Sequence, residues 1–323
     1  QPEEEHGLAR QTELLEEFRP GGQQQAAIPY PCQRIGTEQR RPGSFERGRY
    51  RQVGHREKDP EPALPAVAVI RYASLGSGSA GNALLVESGA TCLMVDCGFG
   101  QRETLRRLAR LNRDPAQLAG ILVTHEHGDH ICGVFPFARR HRLPVWLSHG
   151  TLAACASMSA GADVWIIDSH VAFAVEALAI HPYPVPHDAR EPVQYVFSDG
   201  ARRLGLLTDA GDVTQHMRDV LSGVDGLILE CNHDAALLAA SNYPLSLQRR
   251  IAGRLGHLEN NAAAGLLRDI DRGRLQHVVA AHLSERNNLP ELAIGALAGV
   301  LGDVAERVSV ASQEAGFDWR QLS

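Results

Sequence analysis

THEHGDH, residues 124–130, places three histidines, two carboxylates and one glycine in seven positions. Immediately before it, GILVT (Gly120–Thr124) runs without polar alternation, the pattern of a strand buried on both faces. Immediately after it, ICGVFPFARRH (residues 131–141) reads as the start of a helix. A polar cluster between a strand end and a helix start is a common place for a site. His125 and His127 lie two apart, so an extended backbone lets both reach one ion. Asp129 and His130 follow a turn expected at Gly128 and would point to a neighbouring position. Two ligand groups separated by a turn suggest two metal ions about 3.5–4 Å apart. Imidazole with carboxylate suits zinc, manganese or iron, and the lack of a thiolate in the group argues against a structural zinc.

Outward from this stretch, the chain alternates strands and helices. AVAVIRYASLG, ALLVES and TCLMVDCG read as three strands, the third ending in Asp96. RETLRRLARL has leucines and arginines at helical spacing and is expected to lie on the surface as an amphipathic helix. LPVWLSH, ADVWIID and VAFAVEALAI are strand-like, and PVQYVFSDGARRLGLLTDAG predicts a hairpin around Asp199-Gly200. VDGLILECNHD and LQHVVAAHLS are two more buried strands with polar ends. Asp96, His125, Asp209, Glu230 and His282 all stand at such ends. In a layered αβ domain those ends can meet along one edge, which predicts a single shared cleft.

Composition sets limits. The 323 residues are 44% hydrophobic and 22% charged, ordinary for a soluble domain with a real core. A net charge of −6 gives no global attraction to nucleic acid, so such a substrate needs a local basic patch or metal ions. Lys58 is the only lysine, which excludes a P-loop or Schiff-base lysine from the rest of the chain. The six cysteines form no C-x-x-C pair and read as buried, reduced thiols. No apolar run reaches the length of a membrane span, and the N-terminus lacks the order of a signal peptide, so the expectation is cytoplasmic. Residues 1–65 are rich in Gln, Arg, Pro and Gly without any period, and are expected to be a disordered arm before a catalytic domain at 66–323.

The motifs together resemble the metallo-β-lactamase superfamily. THEHGDH looks like its H-x-H-x-D-H signature. SLGSGSAGNALLVE, MVDCGFG, VPHDAREPV, LLTDAG, LECNHD, GHLENNAAA and AHLSERNN follow in the order of its WalJ (YycJ)-like branch. The fold implied is α/β: a four-layer αββα sandwich, two mixed sheets face to face with helices outside. The resemblance implies His125, His127 and His187 around one divalent ion (zinc or manganese), and Asp129, His130 and His282 around a second. Asp209 would bridge them, and Asp96 would support the histidine loop from behind by accepting a ring N–H. His257 resembles the histidine of the superfamily's tRNA-processing phosphodiesterases, with Glu230 to orient it as a proton donor. His181, before Pro182, reads as structural. His233 reads equally as a substrate contact or a turn, and Ser284 and Asn287 as phosphate contacts or helix caps.

The implied chemistry is hydrolysis by water ionised between the two ions and oriented by Asp129. The His257/Glu230 pair favours a phosphodiester, and the branch implies 5′→3′ exonuclease action on DNA. A small-molecule hydrolase acting on a thioester, lactone or cyclic phosphodiester, an RNA nuclease, and a scaffold with a vestigial site are the alternatives. RRIAGR (249–254) and ARRLG (201–205) are candidate basic surfaces, and each also reads as an ordinary solvated face. GSGSAGN, lacking a lysine, reads as a tight turn under the site rather than a phosphate cradle.

Overall fold

The computed structural model describes residues 51–52 and 69–323. The expected domain start at Ala66 and the reading of residues 1–65 lie outside those residues, apart from Arg51 and Gln52. Strands β1 (Arg51–Gln52), β2 (Ile70–Gly76), β3 (Ala83–Ser88), β4 (Thr91–Val95), β5 (Gly120–Leu122), β6 (Pro144–Ser148) and β7 (Asp163–Ile167) belong to one sheet. The second sheet takes β8 (Phe173–Val175), β9 (Leu178–Pro184), β10 (Val193–Ser198), β11 (Arg203–Leu207), β12 (Gly226–Glu230), β13 (His277–Ala281) and β14 (Val308–Val310). The last strand, β15 (Phe317–Gln321), returns to the first sheet beside β2. Their spatial orders are β1-β7-β6-β5-β4-β3-β2-β15 and β14-β13-β12-β11-β10-β9-β8.

Each sheet is mixed. The ladders from β4 to β7 are parallel, as are those from β11 to β14. β2, β3 and β15, and β8 to β10, pair antiparallel. Parallel strands buried on both faces need apolar residues at every position. On β4, Cys92 and Met94 face the outer helices while Leu93 and Val95 face the other sheet. On β12, Leu227 and Leu229 face helices and Ile228 faces the first sheet. Each such aliphatic side chain contributes about 1.5–3 kcal/mol on full burial.

Helices cover both outer faces. Against the first sheet lie α1 (Gln101–Arg110), α2 (Gly128–Ile131), α3 (Val134–His141) and α4 (His149–Cys155). With the second are α5 (Gln215–Leu221), α6 (Ala235–Ala239), α7 (Leu245–Ile251), α8 (Asn260–Asp269) and α9 (Pro290–Leu301). Four layers and three apolar interfaces result. This is the αββα sandwich that the motifs imply. No helix among the described residues is long and apolar enough to cross a membrane.

Three details differ from the sequence reading. VAFAVEALAI is two strands, because Glu176 adopts a left-handed conformation (φ 50°) and turns β8 back into β9. On α1 the polarity is inverted at one position. Arg107 is buried, its Nη1 donating to the carbonyls of Leu75, Gln313 and Glu314, while Leu105 is exposed. Arg51 and Gln52 pair parallel with Trp165 and Ile166, and the Arg51 guanidinium lies 5.2 Å from the Trp165 ring centroid. An open edge on β7 provides the unpaired groups for that short strand.

Tyr195 ties the sheets together: its hydroxyl on β10 donates to the Val123 carbonyl, just beyond β5, at 2.7 Å in a buried setting. Tyr195→Phe leaves that carbonyl without its donor, and denaturant unfolding is expected to show a loss of about 1–3 kcal/mol. An unchanged unfolding midpoint would contradict this inter-sheet role.

Candidate metal centre

The parallel cores of the two sheets present their carboxyl ends to one edge. Asp96 follows β4 and His125 comes three residues after β5; Asp209 follows β11, Glu230 ends β12 and His282 follows β13. His187 arrives on the loop between β9 and β10, and His257 on the turn before α8. The structure brings all of these together with His127, Asp129 and His130. Potential ligand atoms converge within 4.8 Å in four overlapping groups: His125/His127/His187, His125/His130/Asp209, Asp129/His130/His282, and Asp209/Glu230/His257/His282.

Spacing tests whether ions fit. Donors about 2.0–2.1 Å from one tetrahedral ion lie roughly 3.3–3.4 Å from each other. His127 Nδ1 and His187 Nε2 are 3.1 Å apart. His282 Nε2 is 3.3 Å from Asp129 Oδ2, and His130 Nε2 is 3.5 Å from it. Asp209 reaches both groups, with Oδ2 at 3.2 Å from His130 Nε2 and Oδ1 at 3.9 Å from His187 Nε2. His125 Nε2 and Asp209 Oδ2 are buried yet make no hydrogen bond. A buried polar atom left unmatched costs about 1–3 kcal/mol, and a cation here would engage both. The donor set fits two divalent ions.

The opposite ring nitrogens are anchored. Asp96 Oδ2 accepts from His130 Nδ1 at 2.8 Å and from the Thr124 hydroxyl at 2.8 Å, while Oδ1 accepts from the Thr124 amide at 2.8 Å. Having donated to Asp96, the Thr124 oxygen accepts from His125 Nδ1 at 3.0 Å. His187 Nδ1 donates to the Gly256 carbonyl at 2.9 Å. Each bond selects the tautomer that leaves Nε2 for the cluster.

Electrostatics follow the crowding. Burial pushes His125 well below the ordinary histidine range, aided by the neighbouring His130, so its ring is neutral. For His282 burial works in the same direction, but the Asp209 charge and bonds to Asp129 and Glu230 prevail and carry it to about 10. His130 is likewise raised, with Asp209, Asp129 and Asp96 overcoming burial. Burial would raise Asp129 and Asp209, yet the nearby imidazolium charges hold both well below the usual carboxylate range. Cations would take the place of the protons on His130 and His282.

Several supporting residues escaped the sequence reading. Asn82 donates from its backbone to the Asp129 carbonyl at 2.8 Å, and its Nδ2 lies 3.1 Å from His130 Nε2. Ser77 Oγ accepts from the His282 amide at 2.9 Å and so secures a residue with a left-handed backbone (φ 54°). Both belong to GSGSAGN. The amides of Ser77, Gly78, Ala80, Gly81 and Asn82 are all engaged within the protein, so this loop packs under the site and is no phosphate cradle. His181 lies on β9 outside the four groups. Ser284 Oγ accepts from the Asn287 amide at 3.2 Å, a local turn. His233 is buried with Nδ1 unmatched. In ARRLG, Arg203 bonds the Val220 and Ser222 carbonyls at the start of β11, the end away from Asp209.

Gly128 is not the glycine that the loop requires. It begins α2 without a positive φ, and a Cβ there would meet nothing. The tight approach is at Gly98, where a Cβ would collide with the Asp129 carbonyl. Gly128→Ala is therefore expected to keep the wild-type melting temperature or raise it, as a compatible Gly→Ala change does. Gly98→Ala should lower stability by about 1–3 kcal/mol or more. Equal melting temperatures for the two variants would contradict this assignment.

Known proteins supply independent comparisons. The family described as Beta-lactamase superfamily domain matches residues 91–282. Exodeoxyribonuclease YycJ of Bacillus anthracis is 36% identical over 240 residues, covering 72% of this chain and 89% of that protein. Exodeoxyribonuclease WalJ of Streptococcus pneumoniae is 34% identical over 229 residues, covering 69% of this chain and 85% of that one. The solved metallo-β-lactamase fold protein YhfI of Bacillus subtilis superposes with a TM-score of 0.61 at 17% identity, over 78% of this chain and 99% of that chain. The family match runs from β4 through THEHGDH to His282, and the chain belongs to the metallo-β-lactamase superfamily, in its WalJ (YycJ)-like branch.

Proposed function

We propose that the chain is a two-metal phosphodiesterase that degrades DNA as an exonuclease. One observation carries the choice of phosphodiester: His257 Nδ1 lies 2.7 Å from Glu230 Oε1, directly beside the candidate metal ligands. DNA is inferred from the similarity to the two bacterial exodeoxyribonucleases. The 5′→3′ direction is what the branch implies, and a DNA substrate sets the place of work in the cytoplasm.

His125, His127 and His187 would hold one ion; Asp129, His130 and His282 would hold the other; Asp209 would face both. When bound, two divalent cations supply charge to polarise the phosphoryl oxygens and lower the pKa of a water from about 15.7 toward 7. Zinc and manganese both suit this mixture of imidazole and carboxylate. Asp129 orients the attacking water with its carboxylate. As the water, its proton released to solvent, bonds through its oxygen to phosphorus, the P–O ester bond breaks and the sugar oxygen departs with the bonding electron pair. His257 protonates it. Its Nδ1 is committed to Glu230, so Nε2 carries the proton toward the substrate. Burial alone would lower the pKa of His257, but the Glu230 charge and hydrogen bond raise it, which keeps a proton on the ring near neutral pH. Glu230 Oε1 also lies 3.4 Å from His282 Nδ1, so one carboxylate positions both the acid and a candidate ligand.

His257→Ala should separate metal retention from chemistry. Both ions stay bound, while turnover of native DNA falls by about 10²–10⁴-fold. An activated aryl phosphodiester, whose phenolate leaves unaided, should be cut nearly as before. An equal loss on both substrates would mean that His257 positions substrate, and a lost ion would mean that it is a ligand.

Metal content checks the other half. Elemental analysis of Asp209→Ala should find depletion at both sites, and that of His282→Ala the loss of about one ion per chain. Two retained ions in Asp209→Ala would contradict its bridging place.

A further inference from the structure

His233 stands three residues beyond Glu230, and the segment that carries it is zipped onto the segment that carries His257. Glu230 Oε2 accepts from the Leu258 amide at 3.3 Å. The Asn232 amide donates to the Leu258 carbonyl at 2.9 Å, and the Asn260 amide donates to the His233 carbonyl at 3.0 Å. His233 thus pairs with Glu259 in a parallel bridge, just past His257. The polar side chains around it are matched. Asn232 Nδ2 donates to the His282 carbonyl at 3.0 Å, and Asn288 Nδ2 to the Cys231 carbonyl at 2.7 Å. Asn260 and Asn288 exchange amide hydrogen bonds at 2.9 Å, and Asp234 Oδ1 accepts from the Ala236 and Leu237 amides. This framework fixes the backbone of His233 without using its ring.

The ring is the exception. His233 is 2% exposed, yet neither ring nitrogen bonds to any described residue. Nδ1 is enclosed, and Nε2 is the nitrogen that solvent still reaches. A proton on Nδ1 would bury an unmatched donor; a proton on Nε2 buries only a lone pair and presents an N–H outward. Burial lowers the pKa of the ring despite the nearby Glu230 charge, so the donor is neutral. The carboxylates of Glu230, Asp234 and Glu259 all act on this position. Their charge repels a phosphate, so the N–H suits an uncharged acceptor. Beside His257, the proposed donor to the departing sugar oxygen, such acceptors belong to the nucleoside that departs: its ring oxygen and the minor-groove atoms of its base.

We propose that His233 contacts the substrate, its Nε2–H donating to an uncharged acceptor of the departing nucleoside. The assignment rests on the phosphodiesterase reading and adds a binding contact on the leaving side of the scissile bond. A contact made equally in the ground state and the transition state sets KM and leaves kcat alone. His257 acts on kcat instead.

Steady-state kinetics of the metal-loaded full chain test this on linear DNA and on the p-nitrophenyl ester of thymidine 5′-phosphate. The ester keeps one nucleoside but releases nitrophenolate, so no nucleoside departs. His233→Phe retains a ring and removes the donor. It should raise KM for DNA by about tenfold, the worth of one hydrogen bond, with kcat nearly unchanged. Both constants for the ester should stay at the wild-type values, which also shows that the variant is folded. His233→Gln, which offers an amide N–H from a similar position, should recover most of the loss on DNA. Equal losses on both substrates, or a loss confined to kcat, would overturn the contact. An unchanged KM for DNA in His233→Phe would overturn it too, while cleavage of both substrates left the phosphodiesterase reading standing. Wild-type protein that cuts neither substrate refutes that reading and the contact with it.

Discussion

Asp96 occupies a left-handed backbone position (φ 58°) at the carboxyl end of β4, and its two oxygens accept three hydrogen bonds from a single loop. That carboxylate is buried, and the placement of the Thr124–His130 loop depends on where it sits. It fixes the Thr124 hydroxyl, which in turn fixes His125, and it accepts a hydrogen bond from His130 Nδ1 directly. Holding a non-glycine residue in that backbone region costs about 1–3 kcal/mol. Hydrogen bonds to a charged group, at about 1.5–3 kcal/mol each, offset it. His282 repeats the arrangement from the other sheet, with a left-handed backbone secured by Ser77. The two sheets thus each hold one strained residue at the shared edge.

Between these anchors the protein concentrates desolvated imidazoles and carboxylates, and leaves two of their buried atoms unmatched. His125 lacks a partner at Nε2, and Asp209 lacks one at Oδ2. Protons on His130 and His282 balance Asp129 and Asp209, and two cations would balance them better, because the ring nitrogens are aimed inward by bonds on their far sides. The parallel strands make this possible. Their carboxyl ends emerge on the same edge, so residues far apart in sequence arrive with similar directions. Glu230 then links the two sides of the cluster, with Oε1 2.7 Å from His257 Nδ1 and 3.4 Å from His282 Nδ1, so that the proposed proton donor and a candidate ligand share one carboxylate.

Much of this was legible in the sequence, for identifiable reasons. THEHGDH is local, and a cluster so dense after an apolar run has few structural explanations. Apolar strands that end in His, Asp or Glu indicate a common edge before any pairing is known. What stayed hidden was long-range or stereochemical. Asn82 meets His130 across 48 positions and Ser77 meets His282 across 205, and GSGSAGN marks their loop but neither of these contacts. Gly128 looks indispensable inside the motif, whereas the close approach is at Gly98, a relation between two loops. Arg107 follows the surface pattern of its helix but is drawn inward by three carbonyls. RRIAGR reads as an ordinary solvated face until Arg250 and Arg254 are seen paired with Asp188 and Asp212, close in sequence to the candidate ligands His187 and Asp209.

Crystals of the protein equilibrated with zinc or manganese, with anomalous diffraction collected at the absorption edge, test the central claim most directly. The account predicts two peaks about 3.5–4 Å apart, one among His125, His127 and His187 and the other among Asp129, His130 and His282, with Asp209 between them. His257 should lie outside both coordination spheres and remain bonded to Glu230. A single peak, or a peak coordinated by His257, would contradict it.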